Sequence, residues 1–415
     1  MQTQRRAILH ADYNNFYASV EALLNPLLRN KPIAVCGSQE DRHGIVLAKS
    51  EQAKKYGVKT GDAIWQAKQK CKDILIVPPH FEEYQKYSKM AHELYYDYTD
   101  QIEPYGMDEC WLDVSGSEGL FGSGREIADM LRNKVKKEFG LTISVGVSFN
   151  KIFAKLGSDM KKPDAVTYIS QEGFKEQVWT LPATDLLMVG RATGEKLARY
   201  GIRTIGELAR TPSDLLKSWL GKNGEMLWKF ANGLDTSRVM RNDYKAPIAT
   251  VGHGITCVSD LLENREVFRV FLELAQEVSR RLRDNSLIAS GVQITVRDSK
   301  LGFQQFQTKL SYPTQAASTI AGNAQELFEK QYKWSCDVRA LTVRAINLHL
   351  ASMPVQVDLF NDYVAHDKQD KIDQTVYEIR KRFGRDSITR AILLEDTKMP
   401  RARNDVVTLP SAMYS

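Results

Sequence analysis

The stretch Glu103–Gly116, EPYGMDECWLDVSG, places two carboxylates, Asp108 and Glu109, side by side between two segments that read as β-strands. Adjacent negative charges repel each other unless a positive charge lies between them. This pair is therefore a candidate for binding a cation. The alternative is an acidic turn that is simply solvated.

A third carboxylate ends the first predicted strand. The segment RAILHAD, residues 6–12, is short and apolar, and the apolar residues that follow Asp12 recur at helical spacing. If the strands are neighbours in one sheet, the three carboxylates converge and bind hard divalent cations. Two such ions about 4 Å apart support in-line displacement at phosphorus, that is, phosphoryl or nucleotidyl transfer. Alternatively, Asp12 is only a helix N-cap.

Patterns elsewhere divide the chain into three parts. Residues 1 to about 165 read as mixed α and β. In residues 181–209, Gly201 ends one short helix, and a capping box of Thr204 and Glu207 begins the next. This pattern is typical of a helix-hairpin-helix unit that binds DNA phosphates, although any packed pair of helices fits equally well. From about residue 245 the order is βαββαβ, a split ferredoxin-like unit. One face of its sheet is free for DNA or for water.

Length and composition set the protein class. The 415 residues, 43% hydrophobic and 26% charged, predict a globular protein of two to four domains. The sequence has neither a secretory signal nor an apolar run of about 18 residues, so we expect a cytoplasmic protein without a membrane span. Five scattered cysteines predict neither structural zinc nor a disulfide framework. The net charge of +6 permits nucleic acid as a partner but does not require it.

Five strings occur in the order and at the spacing of one known family. They are ADYNNFYASVE (11–21), KPIAVCG (31–37), AKKYGVKTGD (53–62), MDECWLDVSG (107–116) and VGVSFNKIFAKLGSDMKKP (145–163). This series resembles the Y-family translesion DNA polymerases of the DinB and UmuC type, over roughly residues 6–350. The D-x-N form at residues 12–14 resembles the UmuC branch more than polymerase IV.

The resemblance implies a multidomain α+β fold shaped like a right hand. A mixed α/β palm is expected at residues 1–24 and 80–165, and small fingers at 25–79. A helical thumb with the helix-hairpin-helix is expected at 166–240, and the βαββαβ little finger at 241–350. Residues 351–415 form a tail.

The resemblance also assigns the carboxylates. Asp12, Asp108 and Glu109 match the catalytic residues of the family, which hold two Mg²⁺ ions together with the backbone carbonyl of the Tyr13 position. These ions serve attack of the primer 3′-hydroxyl on the α-phosphate of a deoxynucleoside triphosphate. Asn14 is not counted as a ligand, and Asp113 is expected to cap a turn or face solvent.

Three further positions match residues that contact the nucleotide. Tyr17 matches the steric gate, whose ring leaves no room for a ribose 2′-hydroxyl; a core tyrosine is the alternative. Lys54 and Lys162 match cations that meet the triphosphate, although solvated lysines are the alternative. Glu51 departs from the family pattern, since polymerase IV relatives carry a tyrosine there that contacts the triphosphate.

The thumb and the tail carry the predicted partner sites. Val189, Gly190 and Arg191 match the DNA-binding hairpin, in which Met188 replaces the first glycine of the usual motif. QVDLF, residues 356–360, has the form of the bacterial sliding-clamp-binding peptide, with Gln356, Leu359 and Phe360 as its contacts. A strand edge or a contact between domains is the alternative for this segment.

The predicted function is thus translesion DNA synthesis within the DNA-damage (SOS) response. The predicted partners are primer-template DNA, the sliding clamp and, from the UmuC resemblance, an activating protein. Two rivals are a catalytically inactive, clamp-tethered DNA-binding protein and a two-metal nuclease. Primer extension separates these three functions.

Overall fold

The computed structural model of the chain describes residues 6–42, 44–354 and 363–400. The chain divides into two compact units. The first unit contains the described residues up to Ala246 except the Ser38–Gly44 segment. The second contains that segment and the described residues from Pro247 onward.

Strands and helices are interspersed up to about residue 170 of the first unit, and helices follow. The strands are β1 (Ile8–Tyr13), β2 (Ile33–Cys36), β3 (Val46–Lys49), β4 (Leu75–Val77), β5 (Ile102–Pro104), β6 (Glu109–Asp113), β7 (Ile143–Ser148) and β8 (Val166–Ile169). The helices are α1 (Phe16–Leu24), α2 (Glu51–Lys55), α3 (Ile64–Lys70), α4 (Phe81–Tyr96), α5 (Glu118–Phe121), α6 (Gly124–Phe139), α7 (Lys151–Met160), α8 (Phe174–Val178), α9 (Arg191–Arg199), α10 (Ile205–Arg210), α11 (Ser213–Leu220) and α12 (Lys222–Ala231).

The central sheet of this unit has the order β5-β6-β1-β7-β8. Strand β1 pairs antiparallel with both β6 and β7, and β7 pairs parallel with β8. Successive side chains of a strand point to opposite faces. Leu9, Ala11 and Tyr13 of β1 accordingly join the core beneath α1, α4 and α6, whereas Ile8 packs with Trp111 and Ala154 on the face that α7 covers. The predicted mixed α/β palm is confirmed.

A smaller sheet and a helical group complete the first unit. The order β3-β2-β4, with α2 and α3 packed on it, forms the small fingers sheet. Helices α8–α12 share one core, to which Ile152, Phe153 and Leu156 of α7 also contribute. The predicted capping box is confirmed at the start of α10: Glu207 N donates to Thr204 Oγ1 (3.1 Å), and Thr204 N donates to Glu207 Oε2 (2.9 Å).

The second unit contains the predicted βαββαβ order. Its elements are β9 (Val251–Leu261), α13 (Asn264–Asp284), β10 (Leu287–Asp298), β11 (Phe303–Thr314), α14 (Ala317–Gln331), β12 (Val338–Leu350) and α15 (Tyr363–Phe383). The sheet order is β11-β10-β12-β9, so one strand separates the two strands joined by each crossover helix. Helices α13 and α14 bury their apolar faces on this sheet.

The described part of the tail belongs to the second unit and packs against its other elements. Ser318 N and Oγ both donate to Asp373 Oδ2 in α15, at 3.1 and 2.7 Å. Ile392, Leu393 and Met399 contact the core of that unit. The exact domain boundaries taken from the sequence stay predictions, since two compact units do not mark the limits of palm, fingers and thumb. Among the described helices, none has the length and apolar character needed to cross a membrane.

Candidate active site

The register of β1 and β6 brings two of the predicted carboxylates together. Asp12 lies directly opposite Glu109 in this antiparallel pair. Side chains at directly opposed positions share one face of the sheet with their Cβ atoms about 5 Å apart. Asp12 is 6% exposed, and its carboxylate, that of Glu109 and the His10 ring each offer one ligand atom within 4.8 Å of the others.

Helix α7 covers this face at unusually short range. A Cβ added to Gly146 of β7 would lie 1.9 Å from the Ala154 carbonyl oxygen and 2.5 Å from the Ser158 amide nitrogen. Gly146 is also the register partner of His10. Only glycine fits here, and the close approach sets α7 against the carboxylates.

Two lysines reach the carboxylates from α7 and the residues after it. Lys155 Nζ contacts Glu109 Oε2 and lies 3.2 Å from Asp12 Oδ2. Lys162 Nζ lies 2.8 Å from Asp12 Oδ2 and 2.9 Å from Asp159 Oδ1. Lys162, predicted as a triphosphate contact, is therefore at the site. Lys155 was not predicted, because nothing in its sequence pattern distinguishes it from a solvated helical lysine.

His10 is a further residue that the sequence analysis missed. It is fully buried, with Nδ1 2.9 Å from Ser158 Oγ and Nε2 3.4 Å from Glu109 Oε2. Burial, followed by the charges of Lys155 and Lys162, lowers the pKa of His10 well below its usual value. The ring is therefore neutral. Its position two residues before Asp12 in a strand was the available signal, because residues i and i+2 share a face.

Asp108 lies beside this group, just before β6 begins. Its carbonyl accepts from Tyr13 N at 3.0 Å, which fixes the turn against the end of β1. Burial, with the charges of Glu109 and Asp12, raises the pKa of Asp108 to about 7. Among the described residues, the three groups within 4.8 Å of one another are His10, Asp12 and Glu109, without Asp108.

The charges of the site fit a divalent cation. Asp12, Asp108, Glu109 and Asp159 carry four negative charges when ionised, against two positive charges on Lys155 and Lys162. The remaining excess is two negative charges. Carboxylate oxygens are the donors that hard divalent cations prefer. Asn14 is turned away from this group, since its amide nitrogen donates to Ser144 Oγ (2.9 Å) and its oxygen accepts from Asp164 N (2.8 Å).

Tyr17 belongs to an aromatic group at the start of α1. Its ring stacks on Tyr84 with centroids 4.2 Å apart and planes 8° apart, and Phe81 meets it edge-on at 6.0 Å. Tyr84 in turn donates to the buried Glu21 carboxylate. Burial, then the charge of Asp108, raises the pKa of Tyr17 to about 12. The ring is thus held in one orientation near the carboxylates.

Lys54, the triphosphate contact predicted in the fingers, forms its ion pair within the fingers. Lys54 Nζ lies 3.6 Å from Glu51 Oε1, and its side chain is 55% exposed. The same Glu51 oxygen accepts from Asn15 Nδ2 at 3.0 Å. Glu51 therefore bridges the fingers to the start of α1, and the described ion pair of Lys54 is with Glu51 rather than with the carboxylate group.

The thumb residues divide between core and surface. Val189 is buried, Gly190 caps α9, and Arg191 is 93% exposed with an ion pair to Glu195 at 2.9 Å. Met188 has φ +70°, a conformation that favours glycine. This explains the glycine usual at that place in the family motif. Gln356, Leu359 and Phe360 of the predicted clamp peptide lie outside the described residues.

Comparison with known proteins places the whole chain in one family. Residues 11–159 match the impB/mucB/samB family, residues 249–359 match its C-terminal domain, and residues 184–235 match the thumb domain of DNA polymerase iota. DNA polymerase IV of Acetivibrio thermocellus is 49% identical over 397 residues, covering 96% of this chain and 100% of the relative. DNA polymerase IV of Clostridium acetobutylicum is 33% identical, covering 94% and 98%.

A solved structure supports the fold alone. The Y-family DNA polymerase chimera Dbh-Dpo4(243-245)-Dbh aligns with a TM-score of 0.73 at 22% identity, covering 83% of this chain and 99% of its own. The predicted closeness to the UmuC branch is not supported, because the relatives named above are of polymerase IV. A D-x-N string at residues 12–14 was too short to decide between branches. The chain belongs to the impB/mucB/samB family and is a Y-family DNA polymerase of the DinB type.

Proposed function

We propose that this chain extends a DNA primer by nucleotidyl transfer at Asp12, Asp108 and Glu109, and that it copies damaged templates. The observation that supports this most is the register of β1 and β6, which sets Asp12 opposite Glu109 beneath α7. Polymerase IV relatives along almost the whole chain support the same reaction.

Two Mg²⁺ ions are the proposed cofactor, held by the three carboxylates and the Tyr13 carbonyl. Magnesium bound there would activate the primer 3′-hydroxyl and offset charge on the α-phosphate. Strand pairing orients Asp12 and Glu109. The neutral imidazole of His10 lies next to them on the same face of the sheet.

The proposed nucleotide contacts follow from the same geometry. Lys162, whose ammonium lies at Asp12, is placed to offset charge on the triphosphate. Tyr17, locked by its stack on Tyr84, is the proposed steric gate against ribonucleotides. Lys54 is a less direct candidate for a triphosphate contact, because its ammonium pairs with Glu51.

Primer extension with Mg²⁺ tests this function. We expect longer products with the parent and none with Asp12→Asn or Glu109→Gln. Asp113→Asn is the matched control: Asp113 ends β6 but accepts from Ser115 N and Oγ, at 3.1 and 2.5 Å, away from the site. Unchanged primer with the parent would favour the inactive DNA-binding protein, and degraded primer would favour the nuclease. Extension past an abasic site tests the copying of damaged DNA.

Clamp tethering is a separate proposal that rests on residues 356–360. A tether raises the effective concentration of polymerase at a primer end. We expect the double variant Leu359→Ala, Phe360→Ala to extend primers normally on its own but to lose stimulation by the bacterial sliding clamp. Equal stimulation of variant and parent would contradict this assignment.

A further inference from the structure

Lys155 lies where its charge is shared by two proposed metal ligands. Its Nζ contacts Glu109 Oε2 and lies 3.2 Å from Asp12 Oδ2, and its side chain is 14% exposed. Asp12 and Glu109 face each other from neighbouring strands, so their charges repel at short range. A single buried ammonium offsets that repulsion.

A second acceptor for the same ammonium lies one helical turn further on. Lys155 Nζ is 3.3 Å from Asp159 Oδ2, and the Asp159 side chain is 48% exposed. Residues four apart on a helix are neighbours on its surface, so a small side-chain rotation is enough to favour this partner. Lys155 can therefore give up its ion pairs with Asp12 and Glu109 and keep the one with Asp159.

A divalent cation on Asp12 and Glu109 would lie within contact range of this ammonium, and the two like charges would repel. We propose that Lys155 is a positioning residue: it holds Asp12 and Glu109 together in the metal-free protein, and when a divalent cation binds it leaves these two carboxylates and stays paired with Asp159. This inference rests on the proposed function of the carboxylates.

Binding of Mn²⁺ to the metal-free protein, without DNA or nucleotide, tests the exchange. Free Mn²⁺ is measured by electron paramagnetic resonance during titration of the full chain. Lys155→Met removes the competing charge, so we expect Mn²⁺ to bind more tightly by on the order of tenfold or more. We also expect a lower melting temperature in chelator, largely restored by Mn²⁺. Unchanged or weaker Mn²⁺ binding by this variant overturns the proposal.

Lys151→Met is the matched control. Lys151 lies one turn earlier on α7 with an equally buried side chain, and its Nζ pairs with Glu103 Oε1 at 2.6 Å. This variant loses the same charge and is expected to melt at lower temperature too. Its Mn²⁺ affinity should stay close to that of the parent, and Mn²⁺ should not restore its stability. Equal tightening in both variants overturns a specific role for Lys155.

Asp159→Asn keeps the proposal testable if Lys155→Met fails to fold. Without its second partner, Lys155 stays on Asp12 and Glu109, so we expect Mn²⁺ to bind several-fold more weakly than in the parent. In the Lys155→Met background the same change should have little effect. Equal losses in both backgrounds would show that Asp159 acts without Lys155, which overturns the exchange.

The two proposals fail in different ways. If Asp12→Asn and Glu109→Gln leave Mn²⁺ binding unchanged, both the metal site and the role of Lys155 are refuted. If these two changes abolish Mn²⁺ binding but Lys155→Met does not tighten it, only the role of Lys155 is refuted.

Discussion

Gly146→Ala is the most direct test of how α7 is held against the carboxylates. The new Cβ would lie 1.9 Å from the Ala154 carbonyl oxygen, and both atoms belong to rigid backbone or are fixed to it. No side-chain rotation relieves this contact, so α7 has to withdraw by about 1 Å, and Lys155 moves with it. Overpacking of this kind destabilises by about 1–3 kcal/mol or more.

The same displacement disturbs the reacting groups. A misplacement of about 1 Å can lower catalysis by about 100-fold. We therefore expect Gly146→Ala to lose about 2–3 kcal/mol of unfolding free energy in urea and about 100-fold in kcat/KM for primer extension. Gly119→Ala is the control, since a Cβ there would meet nothing within 4 Å. A Gly146→Ala protein with parental stability and activity would refute the view that close packing of α7 builds the site.

Three further predictions follow from individual residues. The pKa of Asp108 is raised from 3.8 to about 7, so folding costs the parent more as pH rises through about 7 and this carboxyl loses its proton. In chelator near pH 8.5, the Asp108→Asn variant should therefore have a free energy of unfolding about 2–4 kcal/mol higher than the parent. The difference should shrink toward about pH 4 in urea melts, and a constant difference would contradict the assigned cause. Met188→Gly should gain about 0.5–1 kcal/mol in thermal melts by relieving φ +70°, whereas Met188→Ala should not, and equal effects would rule out backbone strain. Tyr17→Ala should incorporate ribonucleotides in primer extension while Tyr17→Phe excludes them, and an Ala variant as selective as the parent would show that Tyr17 is not the gate.

The secondary structure of the second unit could be predicted closely from the sequence. The first helix of the predicted βαββαβ order is α13, NREVFRVFLELAQEVSRRLRD, at Asn264–Asp284. Its apolar residues recur at i, i+3, i+4 and i+7 from Val267 to Leu282, about four turns, and so long a stripe has few alternative interpretations. In β10, Val292, Ile294 and Val296 alternate with polar residues, which is the period of a strand.

The site could be predicted only in part. Family motifs named Asp12, Glu109 and Lys162, which the structure brings together. The pairing that makes Asp12 and Glu109 neighbours joins residues almost a hundred positions apart, and periodicity within one segment does not determine such a register. His10 and Lys155 depend on that register and on the close approach of α7. Lys155 could not be distinguished from a surface lysine beforehand, and the available signal for His10 was its place two residues before Asp12 in a strand.

The adjacent pair at residues 108 and 109 is tolerated because its two carboxylates have different surroundings. Glu109 is the first residue of β6 and faces α7, where Lys155 opposes its charge. Asp108 lies in the preceding turn, and within the described residues no Lys, Arg or His ion pair reaches it. Burial, with the charges of Glu109 and Asp12, raises the pKa of Asp108, and the charge of Lys155 opposes this rise only in part. On the Asp108 side of the site a divalent cation therefore meets a carboxylate with which no described lysine forms an ion pair, and it has to displace Lys155 only to reach Asp12 and Glu109.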